Sequence, residues 1–232
     1  ASYSHGVAVR TDGTVGGWGE ASFYRPVTFP AGLSGVVAAS TYSTHSILLR
    51  ADGVPSLHGS QVDGGWWRLP AGLKRVVAVA AGRNHDLYVQ ADGTVVYYIG
   101  TGALAPPVPV VDAVAVAAGR YHSLALQADG KVISWSLSQP ELHTVPADLA
   151  NVVAIAAGDY HSLALRADGM VVAWGGNNYG ERDVPAGLAN VVQIAAGMET
   201  SAARRADGSV VVWGKSSSGQ TQVPANLTRA AW

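Results

Sequence analysis

The 232-residue chain contains no cysteine, so disulfides, thiolate catalysis and cysteine metal sites are excluded. That absence also fits a secreted chain. Charge is scarce, at 13% of residues, and 15 basic against 16 acidic side chains leave a formal charge of −1. Such a balance gives no electrostatic reason to bind nucleic acid or an anionic membrane. Lysine occurs only at Lys74, Lys131 and Lys215. No block of like charge suggests a disordered tail. No apolar run approaches the roughly 18 residues that span a bilayer, and no signal-peptide apolar region is present. The chain starts at Ala1, not Met, which reads as a processed or trimmed N-terminus.

What is plentiful is hydrophobic residues, 48% of the chain, together with 28 glycines and 11 prolines. A domain of this length hides about 70% of its extended-chain surface, enough for a full core. The glycines mark a repeat. Ala-Asp-Gly, once Thr-Asp-Gly, recurs six times, with its aspartate at Asp12, Asp52, Asp92, Asp129, Asp168 and Asp207, at spacings of 40, 40, 37, 39 and 39 residues. The segments before Asp12 and after Asp207 together make one more unit length. That predicts a closed ring whose last unit both termini complete, and so a single domain over residues 1–232.

The cleanest unit runs from Val152 to Asn190. Val152–Ala157 is a short apolar run, His161–Arg166 is expected to alternate between faces, and Val171–Trp174 is again apolar. Arg182–Val184 reads as a short fourth strand ended by Pro185. These segments are too short for helices and are bounded by Gly and Pro. Asp-Gly between two such runs signals a hairpin, because Gly supplies the positive φ of the turn. The reading is an all-β, six-bladed β-propeller of four-stranded antiparallel blades. The Ala-Ala-Gly endings of the first strands suit a crowded axis. Trp18, Trp135, Trp174 and Trp213, five residues after the turn glycine, are expected to pack between blades, with Tyr98 and His58 in the same slot.

The units GDYHSLALRADGMVVAWGGNNYG and AAGRYHSLALQADGKVISW, with VPAGLANVV linkers, resemble the regulator of chromosome condensation repeat family in its short bacterial form. The resemblance is strong from about residue 113 to 214 and weak over Thr41–Pro109. It implies a propeller, usually seven-bladed, acting as a binding platform. The eukaryotic founder of the family binds a small GTPase and chromatin, and a secreted bacterial relative with similar short repeats inhibits β-lactamases through loops on one face. Here there are six units and no basic tail.

Five histidines, His5, His45, His85, His122 and His161, share one repeat position, with Thr200 as the sixth equivalent. A ring of imidazoles could hold a metal. A His-Ser pair repeated at His45, His122 and His161 instead suits a scaffold hydrogen bond to the neighbouring blade, and no metal or other cofactor is expected. His58 and His143 read as local substitutions. The acidic residues outside the turns, such as Asp86, Glu181 and Asp183, are scattered, and no nucleophile elbow, phosphate loop or metal-spaced pair exists, so no enzyme is expected.

The loops after first and third strands should share one face, and they vary in every unit. Tyr3, Phe23, Tyr24, Trp66, Trp67, Arg83, Arg120, Tyr121, Asp159, Tyr160, Tyr179 and Glu199 are the candidate partner-binding residues. Aromatic and Arg side chains bury much area at little entropic cost. The expectation is a monomeric, non-catalytic scaffold that engages a protein partner, with inhibition of an extracellular enzyme as its most concrete form and an extracellular or periplasmic location. A secreted lectin is the alternative, and an engineered or trimmed propeller without a dedicated ligand is another.

Overall fold

The computed structural model describes residues 5–19, 29–30, 32–42, 44–59, 68–99, 102–104, 106, 110–136 and 143–224, with the backbone alone over 102–104. Among them are eighteen strands and no α-helix, hence no helix long and apolar enough to cross a membrane. The chain divides into two compact units, Ala1–Ala118 and Gly119–Trp232.

The first unit holds β1 (His5–Val9), β2 (Val15–Gly19), β3 (Val36–Tyr42), β4 (His45–Arg50), β5 (Pro55–Gly59), β6 (Val76–Ala81), β7 (His85–Gln90), β8 (Val95–Ile99), β9 (Gly102–Leu104) and β10 (Ala113–Ala118). β1 pairs with β2, β3-β4-β5 form a three-stranded sheet, and β6-β7-β8-β9 form a four-stranded one. The second unit holds β11 (His122–Gln127), β12 (Val132–Ser136), β13 (Val152–Ala157), β14 (His161–Arg166), β15 (Val171–Gly175), β16 (Val191–Ala196), β17 (Thr200–Arg205) and β18 (Val210–Gly214). β11 pairs with β12, and β13-β14-β15 and β16-β17-β18 are three-stranded sheets.

All six Asp-Gly sites close hairpins, through three-residue loops rather than two-residue ones. In β14–β15 the Arg166 amide donates to the Met170 carbonyl and the Gly169 amide to the Arg166 carbonyl, and the other five repeat this pattern. The third loop residue is the glycine, at φ between 77° and 86°, the left-handed position of a bulged hairpin. The aspartate before it has its own task. Its Oδ1 accepts the amide two residues on, at 2.8–3.1 Å in all six turns. The turn glycine also anchors the next repeat: the Gly169 carbonyl accepts the Val191 amide, at the start of the next first strand.

Burial does not alternate along the middle strands β4, β7, β11 and β14, although it does along β17. His161, Ser162, Leu163, Ala164 and Leu165 are all buried, as are His45 to Leu49. The cause at β14 is a neighbouring sheet on both sides, the one that holds β11 and the one that holds β16. One core cluster joins Leu163, Leu165 and Val171 of one sheet to Val191, Ala203 and Trp213 of the next, with Leu188 of the linker between them. The hydrophobic effect therefore acts between sheets, and one isolated repeat has nothing to bury against.

Among the described residues only β6-β7-β8-β9 has the four strands expected of a blade, and two further expectations change. Arg182–Val184 is not a strand, because its amides are taken locally. Arg182 N–H donates to Asn177 Oδ1, Asp183 N–H to the Gly180 carbonyl and Val184 N–H to the Arg182 carbonyl. The third-strand slot is buried at Tyr98, Trp135, Trp174 and Trp213, but Trp18 is 57% exposed. Trp18 lies over Gly6, its cross-strand partner, with its outer face open. His58 is half-buried against Phe29 and Ser56.

Candidate functional site

Four of the five repeated histidines are seen as buried tie-points between successive sheets. Their Nε2 atoms reach a side chain about 40 residues on: His5 to Ser46 at 2.9 Å, His45 to Asp86 at 2.8 Å, His122 to Ser162 at 3.0 Å and His161 to Ser201 at 2.9 Å. In each case the partner is the residue after the next repeat's histidine or its equivalent, which explains the His-Ser dipeptide. The His122 and His161 rings each pack on the glycine three residues before them. A side chain on Gly158 would meet the His161 ring and the Gly197 carbonyl, and one on Gly119 would meet the His122 ring and the Gly158 carbonyl. Gly-x-x-His-Ser is thus one device that closes its own turn and grips the following repeat.

The geometry at His161 fixes its tautomer. Ser201 Oγ lies 2.7 Å from the Glu181 carbonyl, which can only accept, so the hydroxyl proton points there. His161 Nε2 must then be the protonated nitrogen that donates to Ser201, while Nδ1 is buried with no hydrogen-bond partner. Burial lowers the His161 pKa to about 4, with the Glu181 charge pulling weakly the other way. At neutral pH this ring is an uncharged strut. His143, also buried, stacks on His122 with centroids 4.7 Å apart.

The variable loops lie at the end of the sheets where the histidines begin the middle strands. The six-residue β14 sets them about 20 Å from the Asp-Gly turns. First-strand and third-strand loops are joined by backbone: Gly176 N–H donates to the Tyr160 carbonyl at 2.7 Å and Lys215 N–H to the Glu199 carbonyl at 2.9 Å. A side chain on Gly176 would meet Tyr160. The loop beyond is held from within. The buried Glu181 carboxylate accepts the Asn178 and Tyr179 amides at 3.2 and 2.7 Å, and its carbonyl accepts Trp213 Nε1–H besides Ser201. Glu181, one of the acids scattered in the sequence, is therefore a loop brace.

On this frame the second unit gathers the expected residues into two clusters. In the first, the Arg120 guanidinium lies 5.2 Å from the Tyr121 ring and 5.6 Å from the Tyr160 ring, and the two rings are 5.8 Å apart. Asp159 sits beneath, 3% exposed, with Oδ2 3.6 Å from Arg120 Nη1; it supports the arginine rather than projecting. In the second, Lys215 pairs with Glu199 and stands 4.5 Å over the ring of Tyr179, which is 48% exposed. Cations at these distances are attracted by the ring faces. Arg83 occupies an exposed turn of the first unit. Tyr3, Phe23, Tyr24, Trp66 and Trp67 lie outside the described residues. Lys215 was not anticipated; the signal for it is its place directly after the Trp213-Gly214 strand end, where the loops begin to diverge.

This is the architecture of an all-β repeat protein: hairpin sheets that bury their faces on one another and present irregular loops at one end. Residues 113–139, 152–181 and 191–220 match the regulator of chromosome condensation (RCC1) repeat. The chain therefore carries RCC1 repeats over those residues, and its fold is similar to that of RCC1 β-propellers. Prp20p from Saccharomyces cerevisiae, a protein described for its binding to Gsp1p and histones, shares the fold at 20% identity and a TM-score of 0.67, over 82% of this chain and 60% of that one. The chain thus spans about 60% of the length of that protein. The CRINKLY WD40 ectodomain of the Arabidopsis thaliana receptor kinase ACR4 shares it at 18% identity and a TM-score of 0.70, over 91% of this chain and 76% of that one. Human WBSCR16 does so at 21% identity and a TM-score of 0.71, over 92% and 75%. No curated protein matches the sequence.

Proposed function

We propose that the six repeats are blades of one propeller and that the protein is a non-catalytic scaffold. It holds a protein partner on the variable loop end, as an inhibitor of an extracellular enzyme would. The observation that carries this reading is the braced cluster of Arg120, Tyr121 and Tyr160 beside Tyr179 and Lys215. Anchors of this kind bind well because they are already rigid: ring, cation and backbone are fixed before the partner arrives, so little entropy is lost on docking. The protein binding described for Prp20p is consistent with such a role. The buried histidines and Glu181 belong to the scaffold, and the reading assigns no group to bond cleavage. An extracellular or periplasmic location follows from the inhibitor role.

The test is capture of a partner from the medium of the source organism, identified by mass spectrometry. The variant Tyr121→Ala/Tyr160→Ala/Tyr179→Ala should keep the wild-type circular dichroism spectrum and lose at least about 100-fold in affinity, since three anchors at ~1–2 kcal/mol each exceed that factor. Unchanged capture by the triple variant would reject this end of the sheets as the binding surface.

A further inference from the structure

We infer that Arg120 is a carboxylate-docking fork, and that the partner segment it receives is acidic. The inference rests on the proposed binding role of the loop end and adds the chemistry of what is bound there. It starts from the donors. A guanidinium carries five N–H groups in a plane and is satisfied by acceptors in that plane. Arg120 has few, the Tyr121 side chain being one of them. Its Nε is buried without a hydrogen-bond partner, and its ion pair to Asp159 spans 3.6 Å, longer than a hydrogen bond. The backbone amide of Arg120 donates to the Asp159 carbonyl at 3.3 Å, which fixes where the side chain starts.

The rings explain how the charge is kept in place with few of those bonds. Cζ and the two ring centroids form a near-equilateral triangle with sides of 5.2, 5.6 and 5.8 Å. Both tyrosines therefore lie on one side of the cation with their π-faces towards it, and the Tyr121 side chain also accepts a hydrogen bond from the guanidinium. The side chain keeps 28% of its surface exposed, whereas that of Asp159 keeps 4%. From solvent, the surface is cationic and aromatic, and the compensating carboxylate is hidden. With Nε enclosed, an acceptor arriving from solvent meets the Nη end. A carboxylate matches the spacing of two parallel N–H donors and would complete the fork. An acidic side chain on a protein partner supplies that group with a hydrocarbon stem to lie on Tyr121 and Tyr160.

The experiment tracks the Arg120 Nε–Hε signal and the Tyr121 and Tyr160 ring signals by NMR. The full chain is titrated with the peptide acetyl-Gly-Glu-Gly-Glu-Gly-amide and with its glutamine counterpart, at constant ionic strength. Saturable shifts with the glutamate peptide, absent with the glutamine peptide and weakened at least tenfold in Arg120→Lys, are the expected result. Arg120→Lys keeps the charge and loses the fork. The inference is overturned by equal shifts from both peptides, by no shift at all, by an unchanged response in Arg120→Lys, or by sodium phosphate binding more tightly than the peptide. If Arg120→Lys unfolds, the wild-type comparison of the two peptides and phosphate still decides. Partner capture that survives Arg120→Lys but not the triple tyrosine variant would leave the binding surface standing and reject the fork alone.

Discussion

Replacing Ser201 by Ala removes one oxygen from the busiest buried junction in the second unit. That oxygen accepts from His161 Nε2–H at 2.9 Å and donates to the Glu181 carbonyl at 2.7 Å, while Ser201 itself is 1% exposed. After the change, the Glu181 carbonyl keeps the Trp213 indole N–H at 2.9 Å, so its loss is cushioned. The imidazole has no such reserve: His161 is fully buried, and its donor is left without an acceptor. A stranded buried donor costs about 1–3 kcal/mol, and about 2 kcal/mol is expected here. With a urea slope of roughly 2–3 kcal/mol/M, the unfolding midpoint should fall by about 0.7–1 M at unchanged slope. Ser217→Ala, at an exposed loop position, is the control and should move the midpoint by less than about 0.2 M. Nitrogen NMR of the imidazole gives a second reading, because wild type should show the Nε2–H tautomer. A midpoint for Ser201→Ala equal to that of the control, or an Nδ1–H tautomer in wild type, would refute the hydrogen-bond assignment.

Acid should weaken the fold through the same ring. Because His161 stays uncharged down to about pH 4, the unfolded chain binds a proton below about 6.5 that the folded chain does not, so its contribution is intact above pH 6.5 and is lost as pH falls towards 4, by up to about 3 kcal/mol. An NMR titration of His161 with a midpoint near 6.5 would contradict this. Gly158→Ala should lower stability by about 1–3 kcal/mol in thermal unfolding, since its methyl meets the His161 ring and the Gly197 carbonyl, and an unaltered melt would speak against the close approach. Asp86→Ser restores the residue found at the equivalent place in other repeats, keeps an acceptor for His45 and removes a buried carboxylate, while the Tyr88 hydroxyl loses its 3.3 Å acceptor, so melting temperature should change little. A drop equivalent to more than about 1 kcal/mol would mean that the Asp86 carboxylate, through its bonds to His45 and Tyr88, is itself stabilising.

The features most legible in the sequence were those dictated by backbone chemistry. Asp-Gly marks one hairpin in each of the six repeats because only glycine adopts the left-handed φ there without strain, and the repeat period comes from those turns. The role of His-Ser was legible as a tie between repeats, although its buried Nε2-to-hydroxyl geometry was not. Less legible was anything set by neighbours. The β14 segment His-Ser-Leu-Ala-Leu-Arg looks alternating along the chain, but a sheet on either side buries both faces. Arg182–Val184 has strand-like residues, yet Asn177 and Gly180 take its amides first. At the loop end, Arg120, Tyr121 and Tyr160 stood out by residue type, while Asp159 was counted among them and turned out to lie beneath. Lys215 was missed because a lone lysine carries no pattern; only its approach to Glu199 and Tyr179 gives it meaning.

The links that suspend the loops, Gly176 to Tyr160 and Lys215 to Glu199, run through main-chain atoms. Their strength is indifferent to which side chain the position carries. Mutation at Tyr160 or Glu199 can therefore rewrite what the surface recognises while the suspension stays as it was, and a lineage could trade one target for another without first having to rescue its fold.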